Sequence, residues 1–339
     1  MKKLKLPLVS IIIVNWNGGE VFKDCLSSLS KIDYPNWELI VVDNGSVDGS
    51  ETLPSNSKLI KNKENLGFAK ANNQGYEKTK GKYILLLNND TNVKPDFLMK
   101  LVERIEMEKE IGVIQPKIYM MDDPERLDNA GSFLTRIGFL EHWGFGEKDG
   151  PEFEKEKEIF SAKGACMLIR REIIERVGLF DSDFVSYFEE SDFCWRVWLA
   201  GYKILFYPKA RIYHKVGFTI RRLDVINLNF HYYKNRISSL IKNLETINIL
   251  VILPLHLLIS FGIFLHMLLR GKFKESLIII KAIFWNIIFL PKLLKKRTQV
   301  QKMRKVSDKE LFKKVLLPVK WKKFYGDFQR VEEDLKRIK

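Results

Sequence analysis

Residues 8–19 read LVSIIIVNWNGG. Five of the first seven positions are β-branched, and they run on without polar alternation. A continuous run of this kind belongs to a strand buried on both faces, as in a parallel sheet covered by helices. The pattern returns at residues 38–42 (ELIVV), which end in Asp43-Asn44-Gly45-Ser46, and at residues 82–87 (KYILLL), which end in Asn88-Asn89-Asp90. Between these runs the spacing predicts helices at residues 20–29 (Val21, Leu26 and Leu29 inward), 68–79 and 96–108. Pro95 suits the opening turn of the last. Residues 58–60 form a short further strand. Strands that alternate with helices imply βαβ units and a mostly parallel α/β sheet. Such sheets bind ligands beyond the carboxyl ends of their strands. The polar clusters at residues 15–17, 43–46 and 88–90 sit at those ends.

Working outward, residues 122–157 are irregular and rich in glycine and charge, which suggests a long functional loop or a small hairpin insertion. Order returns at residues 165–170 and 172–177. The run Tyr187-Phe188-Glu189-Glu190-Ser191-Asp192 then opens a helix that Gly201 stops. Residues 203–207 read as a strand, with His214 just beyond it. No GxGxxG follows the first strand and no GxxxxGK[ST] occurs, so a dinucleotide-binding Rossmann domain and P-loop chemistry are unsupported. Cys25, Cys166 and Cys194 are too few and too scattered for a disulfide framework or a structural zinc site, and read as reduced thiols. The basic N-terminus, residues 1–7, leads into an apolar run too short for a secretory signal.

The chain has 339 residues, 46% hydrophobic and 29% charged, which is a globular balance. Its net charge is +15, from 57 Lys and Arg against 42 Asp and Glu. From Arg270 to Lys305 eleven basic residues face one acid, Glu275, so most of the excess lies in one C-terminal segment. That segment adjoins residues 248–269, which carry no formal charge and are long enough for a bilayer core that needs about 20 residues. A second apolar stretch, residues 277–290, is shorter and contains Lys281 and Asn286. Two full crossings would leave the positive link after Arg270 on the far side, against the positive-inside tendency. An interfacial hairpin, with residues 292–305 on anionic headgroups, avoids that conflict. A buried helical subdomain is the alternative. Nucleic acid is the poorer partner, because the basic run lies beside apolar helices without an RNA-binding aromatic motif.

Several residues carry candidate chemistry. Asp90, two residues after Asn88, can hold a hard divalent cation together with substrate phosphates, although Asn-Asn-Asp is also good turn chemistry. Asp43 can accept from a base or ribose, or serve a turn. Glu189, Glu190 and Asp192 sit where a helix N-terminus favours acids for structural reasons. The aromatic pair before them can also raise a carboxyl pKa and make a general base. His214 is a ligand or a structural histidine.

These segments, with residues 65–75 (NLGFAKANNQG) and 188–196, resemble the inverting family 2 glycosyltransferases over about residues 7–240. The subgroup most similar is that of bacterial rhamnosyltransferases of surface-polysaccharide synthesis. The resemblance implies a GT-A fold, a nucleotide-diphosphate sugar donor, a glycan or lipid-linked glycan acceptor, and Mg²⁺ or Mn²⁺. It implies nucleotide-sugar binding by Asn15, Asp43, Asn65, Asn72, Asn73 and Asn89, and metal binding by Asp90 and His214. Catalysis would rest on Glu190 as base, with Glu189 and Asp192 beside it. Asn88 replaces the first carboxylate of a strict DxD, and Glu190 stands where an Asp is usual. Residues 1–240 would form the catalytic domain. Residues 241–339 would form a helical region with a basic tail, associating with the cytoplasmic face of the membrane. Removing everything after Asn243 is expected to leave donor binding intact. The rival readings are transfer to a polyprenyl phosphate and a non-catalytic membrane scaffold.

Overall fold

The computed structural model describes residues 6–50, 53–54, 57–218, 225–322 and 324–326. The start of the basic N-terminus and the end of the basic tail lie outside them. The first half alternates as the sequence predicts: β1 (Val9–Asn15), α1 (Gly19–Leu29), β2 (Trp37–Asp43), β3 (Ser57–Lys61), α2 (Phe68–Glu77), β4 (Tyr83–Leu87), β5 (Thr91–Val93), α3 (Phe97–Glu106) and β6 (Ile111–Met120). The irregular region resolves into β7 (Leu127–Asn129), a hairpin of β8 (Ser132–Thr135) and β9 (Leu140–His142), and β10 (Lys157–Glu158). Then follow β11 (Cys166–Arg170), α4 (Arg171–Val177), α5 (Glu189–Leu199) and β12 (Lys203–His214).

The main sheet runs β10-β12-β6-β11-β4-β1-β2-β3. β3, β2, β1 and β4 are parallel, while β11 inserts antiparallel between β4 and β6. Burial on both faces explains the unbroken apolar runs. Ile11, Ile13, Leu85 and Leu87 join a core with Phe22 of α1 and Phe97 of α3. Ile12, Ile84 and Leu86 face the other way, onto Ala69 of α2 and Phe193 of α5. Each such side chain contributes about 1.5–3 kcal/mol of burial. The inward face of α1 is Phe22, Cys25 and Leu29, with Val21 and Leu26 at its margin. All three cysteines are buried and unpaired with one another.

One other expectation needs correction. The last strand does not stop near Tyr207. After an irregularity between Tyr207 and Arg211 it continues beside β6 to His214, so His214 ends a strand. α6 (Val225–Asn243) follows and runs through position 240.

α6 packs on α5 and carries the C-terminal helices α7 (Thr246–Leu269), α8 (Phe273–Ile288) and α9 (Leu290–Met303). α10 (Asp308–Val315) is closed by a Ser307–Glu310 capping box. β13 (Leu316–Leu317) then pairs with β8, so the chain returns to the first domain. The basic run is partly spent inside the protein. Lys292 pairs with Asp183, Lys296 with Asp181 and Asp183, Arg297 with the carbonyls of Ile241 and Leu244, and Arg304 with Asp308. Lys295, Lys302 and Lys305 remain exposed.

Candidate active site

The carboxyl ends of β1, β2 and β4 meet around Asn15. Its fully buried amide donates to Ser50 Oγ (2.8 Å) and accepts from Asn89 Nδ2 (2.8 Å). Gly18 passes so close that a Cβ there would lie 2.3 Å from Asn15 Oδ1. At the end of β2, Asp43 Oδ2 accepts from the Ser46 amide (3.3 Å), while the buried Oδ1 has no hydrogen-bond partner among the described residues. An unsatisfied buried acceptor is costly, so this oxygen has capacity for a donor.

The other asparagines hold the segments that follow these strand ends. Asn65 Oδ1 accepts from Gly67 N (2.9 Å) and from Asn44 Nδ2 (2.8 Å), and so holds the turn into α2. Gly67 has φ +85°, and a Cβ there would meet Val185 O at 2.5 Å. Asn72 donates to Phe68 O. Asn73 clamps the Phe180 backbone from both sides, at 2.9 and 3.1 Å. The hydrogen bonds of Asn65, Asn72 and Asn73 thus hold the turns and loops around them.

Beyond β4, Asp90 Oδ1 is buried and lies 3.1 Å from His214 Nε2 without a well-aligned hydrogen bond. His214 Nδ1 bonds Asp128 Oδ2 (2.8 Å), and Asp128 in turn pairs with Lys163 Nζ (2.5 Å). Burial opposes a charge on His214, but Asp90 and Asp128 overcome it and hold the imidazole pKa up to about 9. Burial also opposes ionisation of Asp128, yet Lys163 and His214 keep its carboxyl well below the usual range. The donor set suits Mg²⁺ or Mn²⁺. Asp90 supplies an unclaimed oxygen, His214 a nitrogen oriented from behind by a carboxylate, and phosphate oxygens and water would complete the shell. No closed cage of three or more His, Cys, Asp or Glu exists among the described residues.

Glu189 and Glu190 open α5. Burial raises both pKa values, and the adjacent Glu190 carboxylate raises that of Glu189 further. The Gly164 backbone and the charge of Lys163 pull that of Glu190 partly back. Each glutamate has one buried oxygen without a partner. Lys163-Gly164 therefore links the two corners, with Lys163 on Asp128 and Gly164 against Glu190. Tyr187 and Phe188, just before the pair, both have left-handed φ (66° and 70°).

Asp192 stands apart from the glutamates. Its carboxylate is fully buried and bonded by Lys242 (3.0 Å), Arg196 (3.1 Å), Ser239 Oγ (2.7 Å) and Asn243 Nδ2 (2.9 Å). These partners tie α5 to α6. Conversely, Asp128 and Lys163 went unnoticed in the sequence. They lie 86 and 51 residues from His214, in segments without a motif; the pairing of β12 with β6 and of β6 with β7 brings Asp128 to His214, and Lys163 reaches Asp128 from the loop before β11.

Residues 10–178 match the family model "Glycosyl transferase family 2". An uncharacterised protein of Sinorhizobium fredii is 31% identical over 224 residues, covering 61% of this chain and 24% of its own. The poly-β-1,6-N-acetyl-D-glucosamine synthase of Staphylococcus epidermidis is 23% identical over 218 residues, covering 62% and 51%. The chain thus spans about a quarter and about half of the length of these curated relatives. Among solved structures, the mannosyltransferase PcManGT from Pyrobaculum calidifontis, in complex with GDP-Man and Mn²⁺, superposes with a TM-score of 0.51 at 16% identity, covering 88% of this chain and 86% of its own. The likeness establishes the GT-A fold.

Proposed function

We propose, for a chain that carries a family 2 glycosyltransferase domain over residues 10–178, that it moves a sugar from a nucleotide-diphosphate donor to a hydroxyl of a glycan or lipid-linked glycan, with inversion. The observation that carries this reading is the pairing of two corners of one cleft. A buried carboxyl pair with raised pKa stands at one, and Asp90 with His214 stands at the other, with Lys163-Gly164 between them.

In this reading Asp43 Oδ1 accepts from the base or ribose, and Asp90 with His214 holds Mn²⁺ or Mg²⁺. That ion, when bound, neutralises charge on the departing diphosphate. Glu190 takes the proton of the acceptor hydroxyl while the hydroxyl oxygen bonds the anomeric carbon from the opposite face. The bond from that carbon to the phosphate oxygen breaks, and its electron pair leaves with the nucleoside diphosphate. No covalent sugar–enzyme intermediate is required.

We place the chain on the cytoplasmic face of the membrane, with residues 1–240 as the catalytic domain and 241–339 as the membrane-associating region. What supports this is an inside-out helical bundle. α7 is the one helix among the described residues long and apolar enough to cross a membrane. It turns His256 and Ser260 inward and Leu250, Leu258, Phe261 and Leu269 outward. α8 buries Ser276 and Asn286 and exposes Phe273, Leu277, Phe284 and Ile287. Three observations favour lying in one leaflet over spanning. His256, mid-way along α7, bonds Ile137 O of the β8–β9 turn (2.9 Å), so the catalytic domain covers that flank. The return helix α8 has 16 residues, about 24 Å at 1.5 Å each, short of a ~30 Å core. The turn between them carries Arg270 and Lys272, and α8 opens with Lys274; such cations belong at headgroup depth.

The test is metal-dependent hydrolysis of a panel of dTDP-, UDP- and GDP-sugars, dTDP-rhamnose included, by wild type and Asp90→Ala. Release of one nucleoside diphosphate, lost in the variant, identifies a transferase and its donor. No turnover and no binding across the panel would leave a degenerate scaffold. Full transfer by Glu190→Gln would favour an acceptor that is already anionic, such as a polyprenyl phosphate.

A further inference from the structure

We propose that α6 sets the orientation of the base, and that Asn235 is a positioning residue for the reaction although its hydrogen bonds are both to backbone carbonyls. The inference rests on the reading of Glu190 as the base.

Two consecutive non-glycine residues in the left-handed region, Tyr187 (φ 66°) and Phe188 (φ 70°), directly precede Glu189. Neither side chain favours that conformation, and such residues persist only when their surroundings over-determine them. If either relaxed to negative φ, the first turn of α5 would swing and carry both glutamates with it. The segment therefore needs an external clamp.

Three successive residues of α6 supply it. Lys234 Nζ donates to Asp183 O (2.6 Å). Asn235 Nδ2 donates to Ser186 O (2.9 Å) and Tyr187 O (2.6 Å), from a side chain with no solvent exposure. The guanidinium of Arg236 lies between the rings of Tyr232 (3.8 Å to the centroid) and Phe139 (4.2 Å), with Phe188 at 5.9 Å. From the opposite side, Phe68 N donates to Val185 O (2.8 Å). Asn235 is the member of the clamp that holds the carbonyl of a left-handed residue itself, one peptide ahead of the next. An amide is the group required, because a carboxylate of the same shape has no N–H to give.

The experiment uses the full chain in detergent or in phosphatidylglycerol vesicles, with the donor that the panel identifies and water as acceptor. Asn235→Ala and Asn235→Asp are each expected to lower kcat by about 10- to 100-fold, since a misplacement of about 1 Å is enough for that loss. The donor KM should stay within twofold, because the donor corner is untouched. The second variant is Tyr187→Gly. Glycine adopts φ > 0 without strain, so Tyr187→Gly in the Asn235→Ala background should recover at least fivefold of the lost kcat. A residue that only stabilised packing would show no such rescue. A wild-type kcat in Asn235→Ala, a donor KM that rises in step with the loss, or no rescue by glycine in a folded double variant would overturn the proposal. Wild type inert towards every donor, or Glu190→Gln as active as wild type, would instead overturn the reading beneath it.

Discussion

Replacing Asp192 by alanine separates architecture from chemistry within one acidic cluster. The carboxylate is fully buried between Lys242 and Arg196 and accepts from Ser239 and Asn243. Removing one member of a buried ion pair costs about 3–5 kcal/mol, because the remaining charge stays buried without its partner. Here the low end applies. Lys242 keeps Asp181 at 2.6 Å, and Arg196 keeps the Gly178 carbonyl at 2.7 Å. About 3 kcal/mol in a chain of this size lowers the unfolding midpoint by roughly 6–12 °C, at about 2–4 °C per kcal/mol. Circular dichroism melts of wild type, Asp192→Ala and Glu190→Gln measure this, with donor hydrolysis assayed well below each midpoint. Asp192→Ala should melt early yet hydrolyse donor within a few-fold of wild type. Glu190→Gln should melt at or above wild type, since it removes a carboxyl whose burial is unfavourable. The sign with pH is also determined. Burial works against ionisation of Asp192, but Lys242 and Arg196 overcome it and hold its pKa below the usual 3.8. Its contribution is therefore fully present above that value and lost as pH falls through the lower folded one. The gap between wild type and Asp192→Ala should stay constant from neutral pH down to about 5 and close in stronger acid. An unshifted midpoint with hydrolysis abolished would refute the structural assignment and return Asp192 to the chemistry.

Glu190→Gln should lower kcat by about 10²–10⁴-fold with nucleoside diphosphate binding intact, and a matching loss of binding would deny the base its role. In wild type the acid limb of kcat should lie above the ordinary glutamate value of 4.5 and move higher still in Lys163→Met, because Lys163 draws that pKa down; a limb that stays put would disconnect Lys163 from Glu190. Mn²⁺ binding should strengthen by up to about tenfold per pH unit between 7 and 9 and release a proton, since His214 with a pKa near 9 must lose one to become a ligand. Calorimetry in buffers of different ionisation enthalpy reads that proton, and a flat profile would remove His214 from the metal shell. Leu258→Glu with Phe261→Glu, both on the outward face of α7, should release the chain from phosphatidylglycerol vesicles in flotation without altering its melt. Undiminished flotation would point to another anchor.

Much of the fold is legible because its cause is local. An aliphatic run such as Ile11-Ile12-Ile13 has no exposed face to offer, so a two-sided buried strand is the arrangement that satisfies it, and the helices between the runs follow from spacing. Asn15, Asp43 and Asp90 were legible for the same reason, each standing where a buried strand meets solvent. What the sequence hides is long-range pairing. The antiparallel entry of β11 depends on where the chain turns after Gly164. The reach of β12 to His214 depends on its ladder with β6, which carries it through an irregularity that reads locally as an end. Asp128 and Lys163 have no local pattern; strand register carries Asp128 to His214, and the loop before β11 brings Lys163 onto Asp128. Asp192 misleads for the opposite reason: an acid in the first turn of a helix looks the same whether it faces a cleft or a neighbouring helix. The basic residues after Lys292 mislead likewise, since composition reports charge and not its partner.

The lysine straps from α9 to the loop before α5 have a practical consequence. Lys292 and Lys296 hold Asp181 and Asp183, a few residues ahead of the strained turn that aims Glu190. The helical C-terminal region and the segment that leads into α5 are therefore one mechanical unit. Cutting after Asn243, expected from the sequence to spare donor binding, would strip both aspartates of these lysines and uncover the polar interior of α6. A soluble form for crystallisation or inhibitor screening is better reached by recolouring the outer surface of α7 and α8, residue by residue, than by shortening the protein.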